Sequence, residues 1–270
     1  MKHAIMVLGH GEDASILQKT IDLLDCDNID FFIHWDRKYK QPSLYSNISK
    51  IYMIKKPILV SWGTDSQVLA EKKLFQSVID KGGYDYVHLI SSVDMPLMTK
   101  DYFLDYFDKD AYLGFSDVNK SIYHRISWYY PFGKINPRSK VGRIYKKILE
   151  ISNLIFQVNR IKDQNIEKGC QWFSIKIDLL NEVVNFDNFK MFLSGFCVDE
   201  EYVQTILQRY KPKKLLEDDN TMAARYIDWK RGNPYVFTLK DVTELRSVIN
   251  TRYAFARKIE SSKVIEEVYK

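Results

Sequence analysis

The chain has 270 residues, 46% of them apolar, and a formal net charge of +5. That length suits one large domain or two intimate halves, and the apolar fraction supplies a sizeable core and excludes wholesale disorder. The small positive excess suits an anionic ligand such as a nucleotide diphosphate and is too slight to indicate nucleic-acid binding.

Three cysteines, Cys26, Cys170 and Cys197, are widely spaced and form neither a disulfide framework nor a metal-ligand pattern, which leans towards a reducing compartment. The stretch from Met1 to Gly11 lacks the basic region, long apolar region and cleavage site of a signal peptide. No window is long enough to span a bilayer. The expected location is therefore the cytoplasm, with contact at the inner face of a membrane left open.

Ala4 to Gly9 reads as a buried first strand, and Ser15 to Leu24 has helical spacing. Asp30 to Ile33 is a second strand that ends at His34-Trp35-Asp36. Ile51 to Ile54 makes a third. Asp65 to Lys81 is a helix with Val68, Leu69, Leu74, Phe75 and Val78 on its apolar side. Tyr86 to Ile90 is a fourth strand, entering Ser91-Ser92-Val93-Asp94. Strands alternating with helices imply an α/β fold with a mostly parallel central sheet flanked by helices, and such sheets bind ligands at the carboxyl ends of their strands. Asp36 and Asp94 both fall at such ends.

From Lys120 to Lys162 the chain carries ten Lys or Arg residues and one acid, Glu150. Val141, Ile144, Ile148, Ile151, Leu154, Ile155 and Val158 run through it at helical spacing. The plainer reading is a helix packed on the domain with a solvated basic face. The other is a surface, residues 139–160, lying against an anionic membrane or a lipid-linked acceptor. Beyond it, Gly169 to Ile177 alternates like a strand, Leu179 to Val184 is helical, and Cys197 to Glu200 leads into a helix through Val203, Ile206, Leu207 and Tyr210. Thr221 to Trp229 reads as helix or strand, Asp241 to Ile249 is a short helix, and a charged tail follows Lys258. The chain divides into a nucleotide-binding half (1–115), a basic amphipathic insertion (116–165) and an acceptor and catalytic half (166–270), all within one domain.

Several chemistries lack their signatures. There is no GxGxxG turn after the first strand, no GxxxxGK[ST] loop, no HExxH or CxxC pair, and no G-x-S-x-G elbow. The acids Asp199-Glu200-Glu201 could simply favour a helix start. Alternatively, one of them faces a cleft as a general base, because a sugar hydroxyl needs an anionic acceptor for its proton as a new C–O bond forms. Ser92-Val93-Asp94 offers one carboxylate where two would be needed to cage a divalent ion. A diphosphate leaving group would then be neutralised by Arg and Lys, and Arg225, Lys230, Arg231, Arg252, Arg257 and Lys258 are available.

Seven segments in order resemble the core-2/I-branching β-1,6-N-acetylglucosaminyltransferase family, which also includes xylosyltransferases and bacterial relatives. They are His34-Trp35-Asp36, Val60-Ser61-Trp62-Gly63, His88 to Leu97, Gly169 to Ser174, Val198-Asp199-Glu200, Arg225 to Trp229 and Phe255 to Lys258. Val198 stands where many relatives have Pro, and Ser92 replaces the usual Gly. The resemblance implies a GT-A type fold, inversion at the anomeric carbon and no metal or other cofactor. It implies Glu200 as the base, with Asp36 contacting uridine or ribose and His34 and Asp94 on the donor side. Lys258 would bind the diphosphate with a second basic residue, Arg231 as first choice and Arg257 in reserve. Trp229, with Trp172 and Arg125, would meet the acceptor sugar.

The expected reaction moves a sugar, GlcNAc first among candidates, from a UDP-sugar to a glycan hydroxyl, in a bacterial enzyme of surface polysaccharide or glycoprotein glycan synthesis. A non-catalytic sugar-binding module and a nucleic-acid-binding protein using the basic segment are the alternatives; the first would need no base, and the second lacks a motif.

Overall fold

The computed structural model describes residues 1–162, 164–216 and 218–270. Strand β1 (His3–Gly9) is followed by helix α1 (Ser15–Leu24), β2 (Ile29–Trp35), β3 (Ile51–Met53), α2 (Asp65–Lys81) and β4 (Tyr86–Ser91). Then come β5 (Met95–Pro96), α3 (Lys100–Tyr106), β6 (Ala111–Tyr112), α4 (Lys120–Ser127) and α5 (Lys140–Ile155). The C-terminal part contains β7 (Ser174–Lys176), α6 (Ile177–Val184), α7 (Tyr202–Ile206), α8 (Asp219–Met222), β8 (Arg225–Ile227), α9 (Val242–Ser247), β9 (Phe255–Arg257) and α10 (Ser262–Val268).

The main sheet has six strands in the order β3-β2-β1-β4-β7-β6. The first four run parallel, as the alternation of strands and helices predicts, and β7 pairs antiparallel with both β4 and β6. Strand β1 is apolar along nearly its whole length because it is covered on both faces. Its side chains alternate between two cores. Ala4 and Met6 face α2 and α6 with Phe32, Leu74, Phe75 and Phe173, whereas Ile5 and Val7 face α1 and α3 with Leu17, Ile21, Phe31 and Phe103. In register, Gly9 lies opposite Trp35 and Leu8 opposite Ser91, so β1, β2 and β4 end together along one edge.

A second, three-stranded sheet, β5-β9-β8, packs with α9 and α10 around Leu97, Phe237, Leu245 and Val264. Arg225 ties it to the main sheet. Its guanidinium is buried and donates to the carbonyls of Phe173 (2.6 Å), Ala223 (2.8 Å) and Leu89 (3.2 Å). Burial pushes its pKa down to about 10. It is thus a structural clamp and not one of the cations available to a ligand.

Three sequence-based expectations change. Of the segment read as a strand from Gly169, only Ser174–Lys176 pairs in the sheet; at its start Gly169 lies against Gly114, where a Cβ would come 1.8 Å from the Gly114 carbonyl oxygen, and its N–H donates to the Glu200 carbonyl at 2.9 Å. The helix after Cys197 breaks into a 3-10 turn (Val198–Glu200), α7, and a second 3-10 turn (Gln208–Tyr210).

The third change concerns α5, which forms as predicted but faces the other way. Its buried positions are Gly142 and Asn153. Gly142 is pressed on the Asn136 carbonyl, and Asn153 exchanges hydrogen bonds with the Tyr129 backbone (2.8 and 3.0 Å). The apolar stripe points to solvent, so the expectation of an apolar face packed on the domain is not met. Val158 lies beyond the end of the helix.

Candidate functional site

A cleft of about 620 Å³ opens where β1, β2 and β4 end. Gly9 ends β1 and His10 follows it; His34 lies near the end of β2 and Asp36 just beyond it. The segment Lys168–Trp172 forms another part of the lining, together with Asp199 and Glu200 from the 3-10 turn before α7. Arg257 ends β9, and Lys258, Trp229 and Arg138 also line the cleft. Two close approaches shape it. Gly63 has φ +69°, and a Cβ there would lie 3.0 Å from Cys197 Sγ, while the Gly63 carbonyl accepts from Cys197 N at 3.0 Å. The Trp62-Gly63 loop is thereby pinned to the turn that carries Glu200.

Glu200 keeps a third of its side-chain surface open to solvent. Arg125, from α4, donates to its Oε2 at 2.8 Å, and Lys168 Nζ stands 3.8 Å from the same oxygen. Its acidic neighbours are buried. Gln67 donates to Asp199 at 2.6 Å. Burial, then the charge of Glu200, pushes Asp199 up to about 7. Glu71 of α2 is held by Gln171 (2.5 Å) and Tyr202 (2.6 Å), and burial with the nearby Asp199 pushes it up to about 8. Glu201 is also buried, and burial raises its pKa well above the ordinary value; its carboxylate oxygens lack hydrogen-bond partners among the described residues. Of Glu71, Asp199, Glu200 and Glu201, only Glu200 combines a place in the cleft with an open carboxylate.

Arg257 is fixed from several sides. It donates to Asp94 Oδ1 at 2.8 Å and to Ser91 Oγ, and its guanidinium lies 4.2 Å from the centre of the Trp172 ring. Asp94 is buried behind it, also accepting from Ser91 N and Ser91 Oγ at 2.7 Å each. Asp94 therefore does not line the cleft; its carboxylate acts on the site through Arg257. Trp172 lines the cleft and carries that guanidinium on its face, a cation–π contact.

Arg231, the first choice for the second cation, is not in the lining. Asp228 (2.5 Å) and Glu244 (2.6 and 2.9 Å) hold it elsewhere, and it stacks on Tyr235. Arg257 occupies the cleft in its place. Beside it, burial and the charges of Arg257 and Arg138 lower the pKa of Lys258. Burial, Arg257 and Lys258 do the same to His10. Like charges crowded in this way mark a place that an anion would relieve.

The carboxylate of Asp36 accepts from the backbone amides of Lys38 (3.0 Å) and Val60 (3.1 Å). His34 is buried, and burial lowers its pKa; its Nε2 accepts from Ile58 N at 2.9 Å, so it braces the loop that carries Val60. Trp229 is exposed at the rim. His10, Arg138 and Lys168 also line the cleft, and no sequence motif marks them. Arg138 stacks on Trp62 at 4.0 Å. In the sequence it is one of the cations of the basic segment, and no spacing distinguishes it from its neighbours there. Among the described residues, no group of three or more His, Cys, Asp or Glu is arranged to hold a metal ion.

A family model described as Core-2/I-Branching enzyme matches residues 4–246. The chain belongs to that family. This Core-2/I-branching enzyme is thus a glycosyltransferase, taking a nucleotide-sugar donor and a glycan acceptor. The match spans the whole parallel sheet and the turn bearing Glu200, and ends before β9, so Arg257 and Lys258 lie outside it. No curated protein sequence matches the chain at a significant level.

Proposed function

We propose that the enzyme transfers a sugar, GlcNAc first among candidates, from a UDP-sugar to a glycan hydroxyl, inverting the anomeric carbon and using no metal ion. The acceptor hydroxyl attacks C1 as the bond to the diphosphate breaks. Glu200 takes the hydroxyl proton, Arg125 orients the Glu200 carboxylate, and Arg257 with Lys258 balances the charge growing on departing UDP. Asp36 would hold the uridine or ribose, and Trp229 the apolar face of the acceptor sugar. The biological setting we favour is bacterial surface polysaccharide or glycoprotein glycan synthesis.

The observation that carries this reading is the shared cleft of Glu200, Arg257 and Lys258. An open carboxylate and two clustered cations are the parts that a displacement on a sugar diphosphate requires when no ion is bound. A sugar-binding module would keep Asp36 and Trp229 but would have no need of a carboxylate clamped by an arginine.

Transfer from labelled UDP-GlcNAc to glycan acceptors tests it. Glu200→Gln should slow turnover by about 10²-fold or more while UDP affinity stays nearly constant. Undiminished turnover would remove Glu200 from its role. A thermal-shift panel of UDP-sugars would identify the donor, since the true one stabilises the fold by mass action.

A further inference from the structure

Helix α5 reverses the usual arrangement of a surface helix. Its small and polar positions face the body, Gly142 against the Asn136 carbonyl and Asn153 against the Tyr129 backbone, and Ser139 caps its start, the Oγ accepting from Gly142 N at 2.9 Å. Val141, Ile144, Ile148, Ile151 and Ile155, spaced alternately by three and four residues, form one continuous stripe. Their exposures run from 57 to 69%, and Phe156, just past the helix, reaches 75%. Soluble surfaces rarely leave so long an apolar row uncovered.

Charge selects the occupant. Lys140, Arg143 and Lys147 are exposed on the same helix beside the stripe. The sole acid of the helix, Glu150, is taken by Lys146 at 2.7 Å. A second copy packed on this stripe would set these cations against their equivalents with no acid on the exposed face to meet them. A layer of anionic lipid headgroups over acyl chains complements both features at once.

We propose that α5 docks the protein on the surface of an anionic lipid bilayer, lying in the interface plane with its isoleucine stripe in the acyl boundary. No described helix is long and apolar enough to cross a membrane, so the contact is peripheral. Arg138 lines the cleft and immediately precedes the Ser139 cap. Docking therefore holds the mouth of the cleft beside the lipid surface, where a membrane-borne acceptor would be presented. The docking itself does not depend on the transfer chemistry.

Co-sedimentation of the full chain with vesicles tests it without nucleotide or sugar. The chain should bind vesicles of phosphatidylcholine mixed with phosphatidylglycerol and bind phosphatidylcholine alone far less. Combining Ile144→Gln, Ile148→Gln and Ile151→Gln should reduce partition by about tenfold or more, with the melting temperature unchanged because these side chains are already in solvent. Combining Lys140→Gln, Arg143→Gln and Lys147→Gln should erase the preference for the anionic vesicles. Absence of binding to either vesicle, or equal binding by the isoleucine variant, would overturn the proposal. So would a solution dimer that the isoleucine variant converts to monomer, since a second copy would then be the occupant.

Discussion

Arg257 and Arg231 illustrate what separates a cleft-lining cation from one held in a surface network. Both carry the same group, and both have carboxylate partners. Arg231 is satisfied by Asp228 and Glu244 in an exposed network, whereas Arg257 is anchored to buried Asp94, braced on Trp172 and left lining the cleft. Arg257→Ala and Lys258→Ala should each weaken UDP binding about tenfold or more, the scale of a lost charge-assisted hydrogen bond, and Arg231→Ala should leave it within about twofold. Calorimetric titration of UDP distinguishes these outcomes.

Asp94→Asn removes one charge from a buried pair. It should cost about 3 kcal/mol of stability and also weaken UDP binding by loosening Arg257. Denaturant unfolding and the same titration measure the two effects. The role proposed for Glu200 follows from Val198-Asp199-Glu200. That Arg257 and not Arg231 lines the cleft does not follow from the sequence, because the Asp94–Arg257 contact joins residues 163 positions apart and no local spacing announces it.

At the scale of the element, the sequence pattern of α5 was plain and its direction was not. Periodicity reports that a stripe exists; it does not report which side meets the protein. That is decided by Gly142 and Asn153, two residues outside the apolar pattern that fit against Asn136 and Tyr129. The 3-10 turn at Val198–Glu200 was hidden for a related reason. Continuous helix from Cys197 would have matched the apolar spacing, but Cys197 sits at φ +54°, tied to Gly63, and the chain restarts as α7 only at Tyr202. Gly63→Ala should therefore disturb the turn under Glu200: the positive φ is strained for alanine, and the added methyl meets Cys197 and Phe196. A loss of roughly 1–2 kcal/mol in stability, together with slower turnover, is the expected result.

For the whole molecule, the parallel β3-β2-β1-β4 core was readable from alternating strands and helices, because long apolar runs separated by amphipathic helices leave few other arrangements. Strands β5, β6 and β9 were not, since strands of two or three residues carry no period to detect; β7 fell inside the strand read from Gly169 and β8 inside the segment read as helix or strand, but their pairing partners had no sequence signal.

The buried acid Glu71 makes the stability of the fold depend on pH. Glu71 has an ordinary value of 4.5 and is raised to about 8 in the fold by burial and by Asp199. Between those values the folded protein holds a proton that the unfolded chain has released. Stability from this group is therefore present below pH 4.5 and declines as pH rises through 8. Glu71→Gln should remove that decline, so that relative to wild type the variant gains on the order of a few kcal/mol between pH 5 and pH 8. Thermal unfolding at the two pH values, wild type against variant, reads the difference directly.

UDP itself is the most direct probe of whether side chains stand in for an ion in this cleft. Titrating UDP into the protein in excess EDTA should give binding that Mn²⁺ does not strengthen and that Lys258→Ala weakens about tenfold. Binding that appears only when Mn²⁺ is added, and that is indifferent to Lys258→Ala, would contradict the account.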